Sequence, residues 1–212
     1  GLPLVGTAGV FPEYNKRSGR IFTLEERIIG CFMRSENATG VGRSTVSADK
    51  NASLPRPESK EVVALAAYIS WLSREFPHGS NLPWRGQNEI APEHRIPVKI
   101  LDPRRGEELY MKDCTQCHGK DGQGVPIGDK KAGPLWGPKS WNDGAGAARI
   151  YTLAGIIRYA MPYLNPGSLT DEEAQQIAAF ITSKPRPVYP YKNQDYLNTP
   201  LPEDAVYYTK RR

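Results

Sequence analysis

Cysteine is scarce in this chain, with three among 212 residues, and two of these share one five-residue motif. That excludes a disulfide framework. Histidine and methionine are equally scarce, at three each. No second Cys/His pair stands near the first, so a tetrahedral zinc site lacks ligands. No apolar run approaches the length of a membrane span. No Lys/Arg-rich stretch is interleaved with aromatics, which argues against a nucleic-acid partner. No leader sequence is visible at Gly1. The charge imbalance is small, 28 Lys and Arg against 23 Asp and Glu, a net +5. It suits an anionic substrate or an acidic redox partner.

Glycine (20) and proline (19) are abundant, which predicts short helices joined by irregular segments. The length allows one large domain or two small ones. Thr23 and Glu26 form a capping box that opens a helix to about Arg34. Leu24, Ile28, Cys31 and Phe32 fall on or near one face of it. A Gly/Ser/Asn/Pro-rich stretch follows, from Ser35 to Pro57. The next helix spans about Ser59 to Glu75, with Val62, Leu65, Ala66, Ile69 and Leu72 as its core stripe. Five prolines between Phe76 and Arg105 mark a linker. Asp102 then caps a helix that begins with Pro103, a residue favoured at the first helical position. A helix is expected over about Ala147 to Tyr159, ended by Pro162. The last helix opens with a second capping box, Thr170 and Glu173. Its stripe is Ala174, Ile177, Ala178 and Ile181. It and the helix after Ser59 could be equivalent closing elements. The Pro- and Tyr-rich tail should run extended over the surface.

Cys114-Thr115-Gln116-Cys117-His118 is a C-x-x-C-H sequence. This spacing brings two thiols and an imidazole to one face of a macrocycle, forming two thioethers and one iron ligand. The motif points to a covalently attached haem c. A thioredoxin-like dithiol would need a βαβ setting, which the pattern lacks. Met161, after a helix and before Pro162, is the expected distal ligand; a Met thioether favours ferrous iron. Met111 enters the motif from the wrong side, Met33 belongs to the other half, and His78 and His94 should be solvated. Pro134 is expected to hold His118 through its carbonyl. Haem attachment of this kind occurs outside the bacterial cytoplasm, so a periplasmic or exported location is expected. The fold class expected is all-α, in two halves of short helices with long Gly/Pro-rich loops. These cover 1–76 and 103–184, the second a cytochrome c domain, with a linker over 77–102 and an extended tail over 185–212.

Several blocks carry a family resemblance. They are Glu26 to Ser35, Ala67 to Ser73, Gly133 to Gly137, Asn142 to Gly146 and Leu169 to Ala174. In this order, from about Phe11 to Pro187, the chain resembles the dihaem cytochrome c thiosulfate dehydrogenases. The resemblance implies that 1–76 is a second cytochrome c-like domain, N-terminally incomplete, with a catalytic haem whose distal ligand is a Cys thiolate, here Cys31. It implies that Arg27 and Arg17 bind the anion, with Ser35 in the same pocket. It implies that Met161 serves a second, electron-exporting haem. Ala160 stands where some relatives have a competing lysine, so that ligand switch should be missing. Glu36-Asn37-Ala38-Thr39-Gly40 departs from the family's M-N-G and could alter the pocket wall. The family carries its first C-x-x-C-H upstream of the segment matching Gly1, and this chain holds one such motif.

The residues also allow a reading of their own. A lone cysteine is most often buried and inert. Arg27 stands one turn before Cys31 on the same side of a helix, and a guanidinium can grip an oxyanion through two parallel bonds. The expected activity joins two thiosulfates into tetrathionate, or runs in reverse, with electrons passing to a small cytochrome or iron–sulfur protein. The alternatives are a non-catalytic electron carrier with a degenerate first domain and a subunit acting on another sulfur compound.

Overall fold

A computed structural model describes residues 3–39 and 55–209. Much of the stretch expected between Ser35 and Pro57 therefore lies outside the described residues. The described residues divide into two compact units, 3–39 and 55–87 with 189–201, and 88–188 with 202–209. The division at Gln87 falls within the segment expected as a linker, and the tail is apportioned between the two units.

In the first unit a 3-10 turn, Thr7–Val10, precedes two short antiparallel strands, β1 (Glu13–Asn15) and β2 (Arg20–Phe22). These strands were not expected. At three residues each they are too short to show alternation, and the Asn15 carboxamide oxygen shapes their turn by accepting the Ser18 N–H at 3.0 Å. Helix α1 (Leu24–Ser35) opens on the expected Thr23/Glu26 box. Helix α2 (Lys60–Leu72) stops three residues before the expected end at Glu75. Ser73 ends it by donating to the Ile69 carbonyl at 2.8 Å and accepting the Ala8 N–H at 3.1 Å. Leu24, Ile28, Val62, Ala66 and Ile69 form the core, with Phe11, Ile29 and Phe32 against it. Two expectations change here. Leu65 is exposed, and Cys31 lies outside the buried face.

In the second unit α3 (Pro103–Asp113) and α5 (Ile150–Ala160) both pack on α6 (Asp171–Thr182). The one-turn α4 (Thr115–His118) follows α3, and a minimal hairpin, β3 (Pro126–Ile127) with β4 (Lys130–Lys131), follows α4. Asp102 caps α3 as expected, accepting the Arg104 N–H at 2.9 Å. Helix α5 starts later than expected because Asp204, far along the chain, supplies its cap. The Asp204 carboxylate accepts the Tyr151 N–H at 3.1 Å and the Arg149 guanidinium at 2.6 Å. The Thr170/Glu173 box opens α6.

Every residue from Ala174 to Thr182 is buried, well beyond the expected stripe. Gln175 and Gln176 are buried because they satisfy backbone of the 88–102 segment. Their side-chain carbonyls accept the Ile96 and Asp102 N–H groups, each at 2.8 Å. The α3–α6 crossing is close: a Cβ on Gly106 would lie 2.0 Å from the Gln176 carbonyl oxygen. Helix α2 repeats the pattern of α6, with Glu61-Val62-Val63-Ala64-Leu65-Ala66-Ala67-Tyr68-Ile69-Ser70 matching 173–182. Only Val62, Ala66 and Ile69 of that run are buried.

Candidate functional sites

In the second unit α3 delivers the C-x-x-C-H motif. Its last turn continues into Cys114, whose N–H donates to the Tyr110 carbonyl at 2.9 Å. The His118 N–H donates to the Cys114 carbonyl at 2.9 Å, so one helical turn carries Cys114, Cys117 and His118. The loop beyond is tied back. Gly124 N–H donates to the His118 carbonyl at 2.8 Å, and the buried Tyr110 hydroxyl donates to the Gly119 carbonyl at 2.7 Å.

The electrostatics suit haem rather than thiol exchange. Burial, with smaller contributions from Asp113 and Cys117, pushes the Cys114 thiol up to about 12, which makes it a poor exchange nucleophile. Burial lowers the His118 pKa. The imidazole is therefore held neutral, the form whose lone pair can coordinate a metal. Met161 follows α5, its N–H donating to the Ile157 carbonyl at 3.0 Å. It packs against the unit's core, as do Cys114, Leu135, Trp136 and Trp141. Met111 is exposed on α3. His94 is exposed, its Nδ1 2.7 Å from the Asp171 carboxylate, and the exposed His78 has its Nδ1 3.0 Å from the Phe11 carbonyl.

The Pro134 expectation needs correction. His118 Nδ1 is buried without a hydrogen-bond partner, so the Pro134 carbonyl does not hold it. The backbone after Pro134 is committed elsewhere, with Leu135 N–H on the Gly122 carbonyl at 2.8 Å and Gly137 N–H on the Pro185 carbonyl at 2.8 Å. Two further buried donors in this unit, Trp141 Nε1 and Arg186 Nη1, also lack partners. Two thiols, a neutral imidazole, a thioether on the same core and unspent buried donors fit a covalently held, anionic macrocycle.

The first unit carries the second candidate site. Arg27, Cys31 and Ser35 are exposed at successive turns of α1. Arg27 Nη1 donates to Cys31 Sγ at 3.1 Å. Arg17 lies between β1 and β2, its guanidinium 6.0 Å from the Tyr196 ring and its carbonyl accepting the Tyr196 N–H at 2.6 Å. Reading the sequence missed what holds the end of α1. Arg34 donates both terminal nitrogens to the buried Asp195 carboxylate, each at 2.7 Å, and lies 4.1 Å over the Tyr189 ring. The partners stand 161 residues apart, so no local pattern could have paired them.

The cytochrome c oxidase, cbb3-type, subunit III family matches residues 101–181. The chain is 38% identical over 210 residues to the thiosulfate dehydrogenase of Psychrobacter arcticus, covering 96% of this chain and 57% of that protein. It is 40% identical over 193 residues to the thiosulfate dehydrogenase of Allochromatium vinosum, covering 88% and 63%. The chain thus spans about three fifths of the relatives it matches. Among solved structures, the thiosulfate dehydrogenase (TsdBA) from Marichromatium purpuratum resembles it with a TM-score of 0.74 at 34% identity, over 87% of this chain and 37% of that one.

Proposed function

We propose that this chain, an all-α haem c cytochrome similar to the thiosulfate dehydrogenases over most of its length, belongs to that family and oxidises thiosulfate to tetrathionate. The observation that carries this reading is the Arg27–Cys31 contact on the exposed side of α1. An electron-transfer protein needs neither a free surface thiol nor a guanidinium against it. A site that binds and oxidises a sulfur oxyanion has a use for both, the guanidinium for the charge and the thiol for the sulfur.

Haem supplies a one-electron acceptor when bound. Cys114 and Cys117 would hold it by thioethers, and His118 and Met161 would supply ligands to its iron. Cys31 would be the distal ligand of a second haem in the first unit. Arg27, Arg17 and Ser35 would bind the thiosulfate dianions. Two such anions repel, and bringing them together requires cations at the point of contact. A sulfur–sulfur bond then forms between the two outer sulfurs, and two electrons leave. The Met161 side would pass these to an external small cytochrome or iron–sulfur protein, in the periplasm or another exported location.

The test combines haem-to-protein stoichiometry with thiosulfate-dependent ferricyanide reduction. Two haems, with turnover abolished in Cys31→Gly and the spectrum of the Met161-side haem retained, are expected. Full turnover in Cys31→Gly would remove Cys31 from the mechanism. The second reading is an electron carrier without catalysis, which would need only the haem at Cys114, Cys117 and His118. One haem and no turnover would establish it.

A further inference from the structure

Arg186 is a buried cation with no ion-pair partner among the described residues. It is 9% exposed. Its Nε donates to the Tyr207 hydroxyl at 2.8 Å, and its Nη2 to the Ile181 and Leu135 carbonyls at 3.2 and 3.4 Å. Burial raises the Tyr207 pKa, and its hydroxyl donates to the Lys184 carbonyl at 2.9 Å. It is therefore a neutral phenol and no counter-charge. Among the described residues no carboxylate lies within ion-pair distance of Arg186. Its Nη1 is buried and unpaired. The guanidinium carbon lies 4.8 Å over the Trp141 ring, and Trp141 Nε1 is likewise buried and unpaired.

A buried charge without a partner is costly, as is each buried donor without an acceptor. Two orphaned donors stacked together point to an acceptor that arrives with a ligand. Trp141 packs on the same core as Cys114 and Met161, and Arg186 reaches the Leu135 carbonyl of that wall. The anionic groups that an attached haem brings are its two propionates. We infer that Arg186 Nη1 and Trp141 Nε1 together bind one propionate of the haem attached at Cys114 and Cys117. This rests on the haem reading of that motif. The charge-assisted bond from Arg186 is the stronger of the two. It keeps that propionate ionised and places a fixed cation beside the macrocycle.

The titratable groups facing the site include Tyr207, neutral as argued, and Asp143, whose charge acts on Tyr207. Lys184 Nζ lies 4.3 Å from the Phe180 ring on the neighbouring turn. Asp143 opposes ionisation of a propionate, so the effect of Arg186 must exceed it.

The experiment is a spectroelectrochemical titration of this haem in the full holoprotein, across mildly acidic to neutral pH. The variants are Arg186→Gln, Arg186→Lys and Trp141→Phe, and haem attachment is measured in each. The parent should show a potential that is flat with pH. Arg186→Gln should lower it and make it fall as pH rises, because the propionate then titrates within the range. Arg186→Lys should stay flat. Trp141→Phe, which keeps the ring and its packing, should give a smaller downward shift. Potentials and pH profiles matching the parent in Arg186→Gln and Trp141→Phe, with haem attached in both, would overturn the inference and leave the haem reading standing. A parent without haem at Cys114 and Cys117 would overturn the haem reading itself.

Discussion

Gly106→Ala tests how the second unit builds its site. The added methyl would sit 2.0 Å from the Gln176 carbonyl oxygen, 2.6 Å from the carbonyl carbon and 2.9 Å from Phe180 Cβ. Ordinary contact lies roughly 1.5 Å further out. The first obstacle is backbone, so no rotamer change relieves it and α3 must move away from α6. Such overpacking costs about 1–3 kcal/mol, and a backbone obstacle argues for the upper end. Alanine is the better helix former by about 1 kcal/mol. The net loss is about 2 kcal/mol, which lowers the melting temperature of a unit this size by roughly 10 °C. Because α3 delivers Cys114, the haem potential should shift as well. The assay is thermal unfolding of the holoprotein, followed by helix ellipticity and by haem absorbance. Gly133→Ala is the control, since nothing lies within 4 Å of a Cβ there. A Gly106→Ala protein as stable as the parent would refute the close crossing as the device that positions the motif.

Asp195→Asn should destabilise the first unit by about 3 kcal/mol, as expected when one partner of a buried ion pair is neutralised. Limited proteolysis should then cut near Tyr196, and an unchanged cleavage pattern would count against the Arg34 clamp. Glu173 should show in acid unfolding. Hydrogen bonds from the Thr170 N–H and hydroxyl hold its carboxyl below the usual value. The stability this carries is therefore present above the unfolded pKa and lost as pH falls through the folded one. Glu173→Gln should lose melting temperature less steeply than the parent below about pH 5, and parallel curves would remove the box from the acid response.

Local chemistry was legible in the sequence. The C-x-x-C-H motif, both capping boxes, Asp102 before Pro103 and the apolar positions Val62, Ala66, Ile69, Ala174, Ile177, Ala178 and Ile181 are statements about neighbours. Their physics acts within one or two turns; the structure puts the motif on one helical turn and realises the caps and the buried apolar positions. The Arg27–Cys31 contact is of the same kind, an i, i+4 pair on one helix. What the sequence could not show is where polar groups find distant partners. Gln175 and Gln176 lie outside the expected stripe and are core, because the 88–102 backbone needs their carbonyls. Leu65 reads as core and is exposed. Arg34 meets Asp195, Arg149 meets Asp204, and Arg186 lies over Trp141, each across tens of residues or more. Burial of a polar side chain depends on whether a partner arrives from elsewhere in the chain, and packing alone decides that. The sequence by itself determined the C-x-x-C-H motif and the helical turn that presents its two thiols and imidazole. The tertiary structure decided which charges surround that turn, and so what environment a group held there would meet.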